Sequence, residues 1–306
     1  MDFKIPELDL RLLRSFVVVA EELHFTRAAE RLGIAQPPLS QQIRRIEDKV
    51  GYALFARGTR RVELTRAGQS LLVTARRLFE QASFGVEAAR RAGRGEVGRL
   101  RIGFPTSIAL TALPAIIRSY RRDYPDVDLE LRELSTTPQY EALEAGSIDI
   151  GFLREPRVSE AIASEAIFAE AFVVVLPLDH SLAKQKQVPL SALSGEGFIL
   201  FPRADGPEFY DHIIQICRDA GFEPRVIQGA TQWHTIAALV SAGLGVSLAP
   251  ASISRLQIDD VVYKPISKLR ARTGVVMCWR RDGSEPPRDR FLETVRKFRA
   301  PRGYAT

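Results

Sequence analysis

Cysteine and histidine are scarce in this chain of 306 residues, which contains two cysteines and four histidines. Cys217 and Cys278 lie far apart, each among apolar residues, in the segments IIQICRDA and VVMCWRR. Neither residue type shows the close spacing of a metal-binding motif, and two buried, reduced thiols are the simplest interpretation. We therefore predict neither a metal site nor a cofactor.

Long hydrophobic runs are also missing. No stretch approaches the roughly 20 apolar residues that a membrane-spanning helix needs. The first residues carry no apolar segment behind a basic start, so we expect no secretory signal. With 45% hydrophobic and 26% charged residues, we expect a cytoplasmic protein with sizeable cores and no association with membranes.

Positive charge is unevenly distributed. Residues 1–97 contain 17 Lys and Arg against 12 Asp and Glu, a net charge of +5, whereas residues 98–306 contain 26 against 25, a net charge of +1. A basic excess confined to one part of a chain is typical of a nucleic-acid-binding region.

The segment Phe25–Val50, FTRAAERLGIAQPPLSQQIRRIEDKV, predicts two short helices joined by a tight turn. We expect Thr26 to cap the first helix and Gly33 to end it in a left-handed turn. Pro37 suits the first turn of the second helix, because its missing N–H would be unpaired there. The second helix has an apolar stripe at Leu39, Ile43, Ile46 and Val50.

The opposite face of this second helix is polar and basic, as in a DNA-binding helix-turn-helix. We expect amide and guanidinium groups on this face to reach base edges and phosphates. An ordinary amphipathic hairpin within a helical bundle is the alternative. The predicted DNA-contacting residues of the helix pair are Thr26, Arg27, Gln36, Pro37, Pro38, Ser40, Gln41 and Arg44.

The next segment, GYALFARGTRRVELTRAG, contains two strand-like runs around an arginine-rich tip. It predicts a wing that places Arg57, Arg60 and Arg61 beside the minor groove or the DNA backbone. From Phe25 through this wing the sequence resembles the N-terminal domain of the LysR-type transcriptional regulators, and the resemblance extends over the whole chain.

A long helix is predicted after Thr65, which can cap it, to about Arg91. Its apolar residues recur at heptad spacing, which favours a two-helix dimer seam over a core helix of one domain. The glycine-rich GRGEVG, Gly93–Gly98, predicts a hinge. The predicted domains are a winged helix-turn-helix over 1–65, a linker helix over 66–92, a hinge over 93–98 and an effector-binding domain over 99–306.

Strand and helix signals alternate beyond the hinge, which predicts an α/β fold with a parallel sheet. We assign lobe I to about 99–165 and 270–306, and lobe II to about 166–269, with a ligand cleft between them. This half resembles periplasmic-binding-protein-like effector domains. The chain as a whole is thus predicted to be multidomain, with an all-α winged helix-turn-helix domain followed by a two-lobed α/β domain.

Ligands of open α/β sheets bind beyond the carboxyl ends of the strands, near helix N-termini. Hydroxyl groups follow the first two strands, as Thr106 and Ser107 after RLRIGF and as Thr136 after VDLELREL. Arg154 ends the third strand, and Arg203 follows a strand of lobe II. Hydroxyls with a nearby guanidinium suit a carboxylate. Taken singly, each of these residues could equally be a helix cap or a surface cation.

The segments IGFPTS, ELSTTPQYEAL, AGSIDIGFLR and FPRADGPEF resemble those of LysR-type members that sense aromatic-degradation products such as muconates, benzoates and chlorocatechol-derived acids. The resemblance implies that Ser107, Thr136 and Arg154 hold the carboxylate of the effector. It also implies that Phe201, Pro202 and Arg203 line the other lobe, where Arg203 and Asp205 can shift the choice of ligand. For the cysteines it keeps open a redox pair, as in the peroxide-sensing branch.

We therefore predict an effector-responsive transcriptional regulator that activates or represses its target genes. The expected partners are double-stranded DNA with an inverted-repeat operator, a small carboxylate, and further copies of the chain in a homodimer or homotetramer. RNA polymerase is an additional partner that the resemblance allows. Two alternatives remain at this point: a constitutive DNA-binding protein, and an enzyme acting on a small organic acid.

Overall fold

The computed structural model describes residues 9–57, 62–157, 159–281, 283 and 285–298, and it divides into two compact units, one ending at Arg90 and one beginning at Arg91. Among the described residues, no helix combines the length and apolar character that crossing a bilayer requires.

Three helices and a two-stranded wing form the compact part of the first unit. These elements are α1 (Leu10–Glu22), α2 (Phe25–Leu32), α3 (Gln36–Val50), β1 (Phe55–Arg57) and β2 (Val62–Leu64), with β1 antiparallel to β2. The predicted stripe of α3 is confirmed, since Leu39, Ile43 and Ile46 are fully buried. Gly33 ends α2 with φ +66°, as its position predicted.

The start of α2 differs from the prediction. His24, not Thr26, caps this helix: its Nδ1 accepts a hydrogen bond from the Arg27 N–H at 3.4 Å. The helix begins earlier because Phe25 packs its ring against Phe55, with 6.0 Å between centroids. Thr26 therefore lies inside the first turn, exposed to solvent.

Helix α4 (Arg66–Gly93) is the predicted linker helix. Thr65 caps it, because its Oγ1 accepts a hydrogen bond from the Gly68 N–H at 3.0 Å. Ala75 is buried, but most of the helix after it is exposed. The exposed apolar side chains of this part include Leu78 and Phe84, and Phe84 is 78% exposed.

A mixed sheet dominates the second unit. Strand β3 (Val97–Phe104) runs parallel to β4 (Asp126–Glu133) and β5 (Ile150–Arg154), which confirms the predicted parallel order. Strand β11 (Arg272–Arg280) returns antiparallel to β5. The helices between these strands are α5 (Thr106–Ala109), α6 (Leu113–Asp123) and α7 (Thr136–Glu144), and α10 (Pro286–Lys297) closes the lobe.

One strand passes through both lobes. Strand β6 (Ile162–Pro177) pairs along its first part with β11 and along its second part with β9 (Ser247–Pro250) and β10 (Val261–Pro265). The predicted lobe boundary near residue 166 therefore falls inside this strand. The remaining lobe II elements are β7 (Gly197–Leu200), parallel to β8 (Arg225–Gly229), and the helices α8 (Pro207–Asp219) and α9 (Trp233–Ser241).

The short connection between α4 and β3 belongs to the second unit and is held against α10. A side-chain carbon on Gly95, which has φ +71°, would lie 2.4 Å from the carbonyl carbon of Pro286, so only glycine fits there. The Arg290 Nε–H also donates to the Arg94 carbonyl at 3.2 Å. Two residues of the predicted hinge 93–98, Val97 and Gly98, belong to β3.

Candidate DNA-binding surface and effector cleft

The exposed face of α3 carries most of the predicted DNA-contacting residues. Pro37, Pro38, Ser40, Gln41 and Arg44 line one shallow concave surface. Gln36 lies one turn before Ser40, and its Nε2 is 3.4 Å from the Ser40 Oγ. The surface therefore presents amide, hydroxyl and guanidinium groups together, the groups that read base edges in the major groove.

Helix α2 contributes Thr26 and Arg27, both exposed. The Arg27 guanidinium donates to the Glu22 carbonyl at 2.7 Å and lies 3.5 Å from the Glu22 carboxylate. A phosphate would have to compete with this surface ion pair, which is a weak constraint in water.

The wing is tied to α3 by a residue that the sequence reasoning missed. The Glu47 carboxylate accepts hydrogen bonds from the Leu54 and Phe55 N–H groups at 2.9 and 3.3 Å. This contact fixes the start of β1 relative to α3. Arg60, Arg61 and the side chain of Arg57 lie outside the described residues, so the predicted arginine tip stays a prediction.

The second unit contains a cleft of about 520 Å³, counted with its opening to solvent. Five of the predicted effector residues line the cleft, together with residues that were not predicted. The lining residues are Pro105, Thr106, Ser107, Glu133, Leu134, Ser135, Thr136, Arg154, Phe201, Asp205, Gly206, Phe209, Thr231, Gln232 and Trp233.

Arg154 lies in the cleft wall, but its charge is already balanced. It is 3% exposed, and its guanidinium is paired with the carboxylate of Glu170, which is 1% exposed. It also donates to the Ser107 Oγ at 3.0 Å and to the Thr273 Oγ1 at 3.2 Å. Arg154 therefore links β5 to α5, β11 and β6. Its charge is neutralised within the protein and is not available as an unpaired cation for a ligand carboxylate.

Ser107 gains a defined orientation from this contact. Because its oxygen accepts the Arg154 Nε–H, its own hydroxyl proton is left to donate elsewhere. The Glu170 carboxylate is held in turn by the Ser252 N–H at 2.6 Å and by the Ser252 hydroxyl at 3.0 Å. The network thus joins strands of lobe I to the turn that follows β9 in lobe II.

Pro202 and Arg203 do not line the cleft, contrary to the sequence prediction. Both are exposed, and the Arg203 guanidinium forms a two-point ion pair with Asp211 at 2.6 and 2.7 Å. Because a salt bridge to α8 is available one turn away, Arg203 is directed along the surface, while Phe201 is 7% exposed and faces inward.

Two residues of the cleft, Glu133 and Gln232, were missed, whereas Asp205 had been expected to influence the choice of ligand. Glu133 ends β4, Asp205 lies just before α8, and Gln232 precedes α9. The Thr106 Oγ1 lies within hydrogen-bonding distance of both the Glu133 carboxylate and, at 3.1 Å, the Gln232 Oε1. Each follows a strand end or precedes a helix, so the rule that identified Thr136 could have found them.

The starts of α7 and α9 open onto the cleft without a side-chain cap, at Ser135 and Gln232. The first turn of a helix has N–H groups with no partner inside the helix, and its dipole favours negative charge. An apolar wall adjoins them, since Phe201 stacks on Phe209 with 5.3 Å between ring centroids and meets Trp233 edge-on at 5.9 Å.

Both cysteines are buried, and burial raises the pKa of each thiol to about 12. Because the thiolate is the reactive form, we expect iodoacetamide at about pH 7.5 to leave both unmodified in the native chain and to alkylate both in denaturing urea. Mass spectrometry of the two samples checks this prediction. Native alkylation, or a Cys217–Cys278 disulfide after peroxide treatment, would support the redox alternative instead.

These features define a helix-turn-helix DNA-binding protein joined to a small-molecule-binding α/β unit. Residues 10–69 match the model of the bacterial regulatory helix-turn-helix protein, lysR family, and residues 93–300 match the LysR substrate binding domain. The chain therefore belongs to the LysR family of transcriptional regulators, and it is not an enzyme.

Three relatives show the extent of the similarity. The chain is 40% identical over 285 residues to the HTH-type transcriptional regulator AlsR of Bacillus subtilis (strain 168), covering 93% of this chain and 94% of AlsR. It is 30% identical to full-length CbnR in complex with its target DNA, with a TM-score of 0.80 and coverage of 95% and 99%. It is 32% identical to the effector-binding domain of BenM with its effector benzoate, with a TM-score of 0.58 and coverage of 65% and 91%.

The comparisons support the family more firmly than the branch. AlsR, at 40% identity, is more similar in sequence than BenM at 32%. Membership of the aromatic-degradation branch, and with it the identity of the effector, therefore stays a hypothesis.

Proposed function

We propose that this regulator responds to a small carboxylic acid bound in the cleft. The observation that carries the proposal is the convergence of the uncapped starts of α7 and α9 with the free proton of Ser107. These groups are all hydrogen-bond donors, and together they suit a carboxylate in a site partly shielded from water. The solved BenM domain holds benzoate, which supports an aromatic acid as one candidate.

On the DNA side, we propose that a two-fold dimer places α3 of each protomer in successive major grooves of an inverted repeat. The exposed Leu78 and Phe84 on α4 support dimerisation through this helix. A tetramer built from two such dimers, acting with RNA polymerase, is the proposed assembly. Because its target is DNA, the cytoplasm is the proposed place of action.

Ligand binding can alter the DNA-binding state only if the acid binds two conformations with different affinity. Contacts between the lobes offer such a difference. The Arg255 guanidinium donates to the Leu110 carbonyl at 2.8 Å, and Thr106 of lobe I meets Gln232 of lobe II. A ligand that bridges the lobes would strengthen the closed arrangement relative to an open one.

The test is calorimetric titration of the full chain with muconate, benzoate, salicylate and their chlorinated analogues. For any acid that binds, we expect Thr136→Val to weaken binding about 10- to 100-fold, because a hydrogen bond to a charged group contributes roughly 1.5–3 kcal/mol. Thr137→Val is the matched control, since Thr137 is the next residue on α7 and is not among the lining residues.

Two results would contradict the proposal. Equal affinity of the two threonine variants and the parent chain would place the acid elsewhere. An operator-bound chain whose DNA footprint and transcription ignore every acid would favour a constitutive DNA-binding protein.

A further inference from the structure

One carboxylate oxygen in the cleft wall has no donor. The Asp205 Oδ2 is buried, and it accepts no hydrogen bond from any residue that the structure describes. Burying a polar atom without a partner is costly, and a charged one more so. Asp205 lines the cleft, so a bound ligand can supply the missing donor.

Asp205 lies close to the proposed carboxylate site. Its neighbour Gly206 faces the start of α7: a methyl group on Gly206 would lie 3.6 Å from the Thr136 Oγ1 and 3.8 Å from the Phe201 ring. A ligand whose carboxylate reaches Thr136 therefore has its adjacent carbon near the turn that carries Asp205.

The charges around this position are predominantly negative. Glu133 and Asp205 both line the cleft, whereas Arg154, the cation among the described lining residues, is already paired with Glu170. Arg203, two residues before Asp205, is paired with Asp211 on the surface. A second carboxylate on the ligand would meet like charges here, whereas a donor would meet two acceptors.

Resting on the proposed function, we infer that the effector carries a hydroxyl or amino group on the carboxylate-bearing carbon or on the carbon next to it, and that this group donates to Asp205. The apolar wall of Phe201, Phe209 and Trp233 accepts the rest of the molecule. The ligand class is thus a hydroxy or amino acid with an apolar body, distinct from unsubstituted benzoates and from dicarboxylates.

The first test needs no ligand. Asp205→Asn removes the charge of a carboxylate whose Oδ2 is buried without a donor among the described residues, while keeping the size of the side chain, so we expect it to raise the Tm of the full chain by about 2–4 °C. Asp211→Asn is the control, because it removes the carboxylate that is paired with Arg203, and it should leave Tm unchanged or lower it. An unchanged or lowered Tm for Asp205→Asn would mean that the carboxylate is already satisfied, and would overturn the inference.

The second test compares acids that differ only in the donor. Calorimetry would use benzoate, salicylate and anthranilate; 3-phenylpropionate, phenyllactate and phenylalanine; and 4-methylpentanoate, 2-hydroxy-4-methylpentanoate and leucine. We expect one substituted acid to bind at least tenfold more tightly than its unsubstituted partner, and expect Asp205→Asn to remove that difference. Whether the hydroxy or the amino member binds more tightly identifies the donor.

The outcomes separate the inference from the proposed function. Equal or tighter binding of an unsubstituted acid, sensitive to Thr136→Val but not to Asp205→Asn, would overturn the inference and leave the carboxylate proposal standing. If no acid of any series binds, both are overturned.

Discussion

Replacing Arg154 by alanine is expected to lower the free energy of unfolding of the chain by about 3–5 kcal/mol, because removing one partner of a buried ion pair leaves the other charge uncompensated. The Glu170 carboxylate is 1% exposed and would keep only its hydrogen bonds from Ser252. Ser107 and Thr273 would lose a donor as well. Urea denaturation of the full chain, followed by circular dichroism, measures the change.

Two further variants make this result interpretable. The double variant Arg154→Met with Glu170→Met removes both charges, and it should recover most of the lost stability. Arg203→Ala breaks an exposed ion pair with Asp211 and should change the stability little, because water screens such a pair. A loss for Arg154→Ala as small as that for Arg203→Ala would show that the buried pair contributes little.

Loss of the effector response in an Arg154 variant would not by itself identify Arg154 as a ligand contact. A lost effector response in Arg154→Ala would follow from a destabilised second unit as readily as from a lost ligand contact. Thr136→Val, which leaves the buried network intact, is therefore the better test of the cleft.

Replacing Arg44 by alanine is expected to weaken binding to the cognate operator by about 1–3 kcal/mol, roughly 5- to 150-fold, if its guanidinium reads a base. Arg44 is exposed on α3 and lies on the concave surface with Ser40 and Gln41. The operator is first obtained by selection from random DNA, and affinities are then measured on operator and on scrambled DNA at several salt concentrations.

The neighbouring Arg45 provides the control. It is also exposed on α3 but is not part of the concave surface. If Arg45 meets only phosphates, Arg45→Ala should weaken operator and scrambled DNA alike and lower the salt dependence by about one charge. The same pattern for Arg44→Ala would contradict base readout by that residue.

Most of the helix-turn-helix could be predicted from local patterns of residues in the sequence. Leu39, Ile43 and Ile46 recur every three or four residues, and this spacing alone indicates the buried face of a helix and, by exclusion, the exposed one. Gly33 and Pro37 mark the turn for reasons of backbone geometry that need no distant contact. The misplaced cap at Thr26 shows the limit, because the packing of Phe25 on Phe55 across 30 positions moved the helix start.

The second unit was only partly predictable. The order of strands and helices indicated where the carboxyl ends of the strands meet, and this placed Thr106, Ser107 and Thr136 at the cleft, whereas Phe201 was predicted from the family resemblance. The lobe boundary predicted near residue 166 falls inside the single strand β6, because IASEAIFAEAF alternates weakly and its partner strand β11 lies about 100 to 120 positions away.

By itself, the sequence determined the two-part organisation, the helix-turn-helix and the edge of the sheet where the cleft lies, since periodicity, turn residues and chain order are local properties. Only the tertiary structure decided which polar groups are free to act there. It paired Arg154 with Glu170, turned Arg203 towards Asp211 and left the Asp205 Oδ2 without a donor among the described residues, because the partner of a charged side chain is set by distances across the fold and not by spacing along the chain.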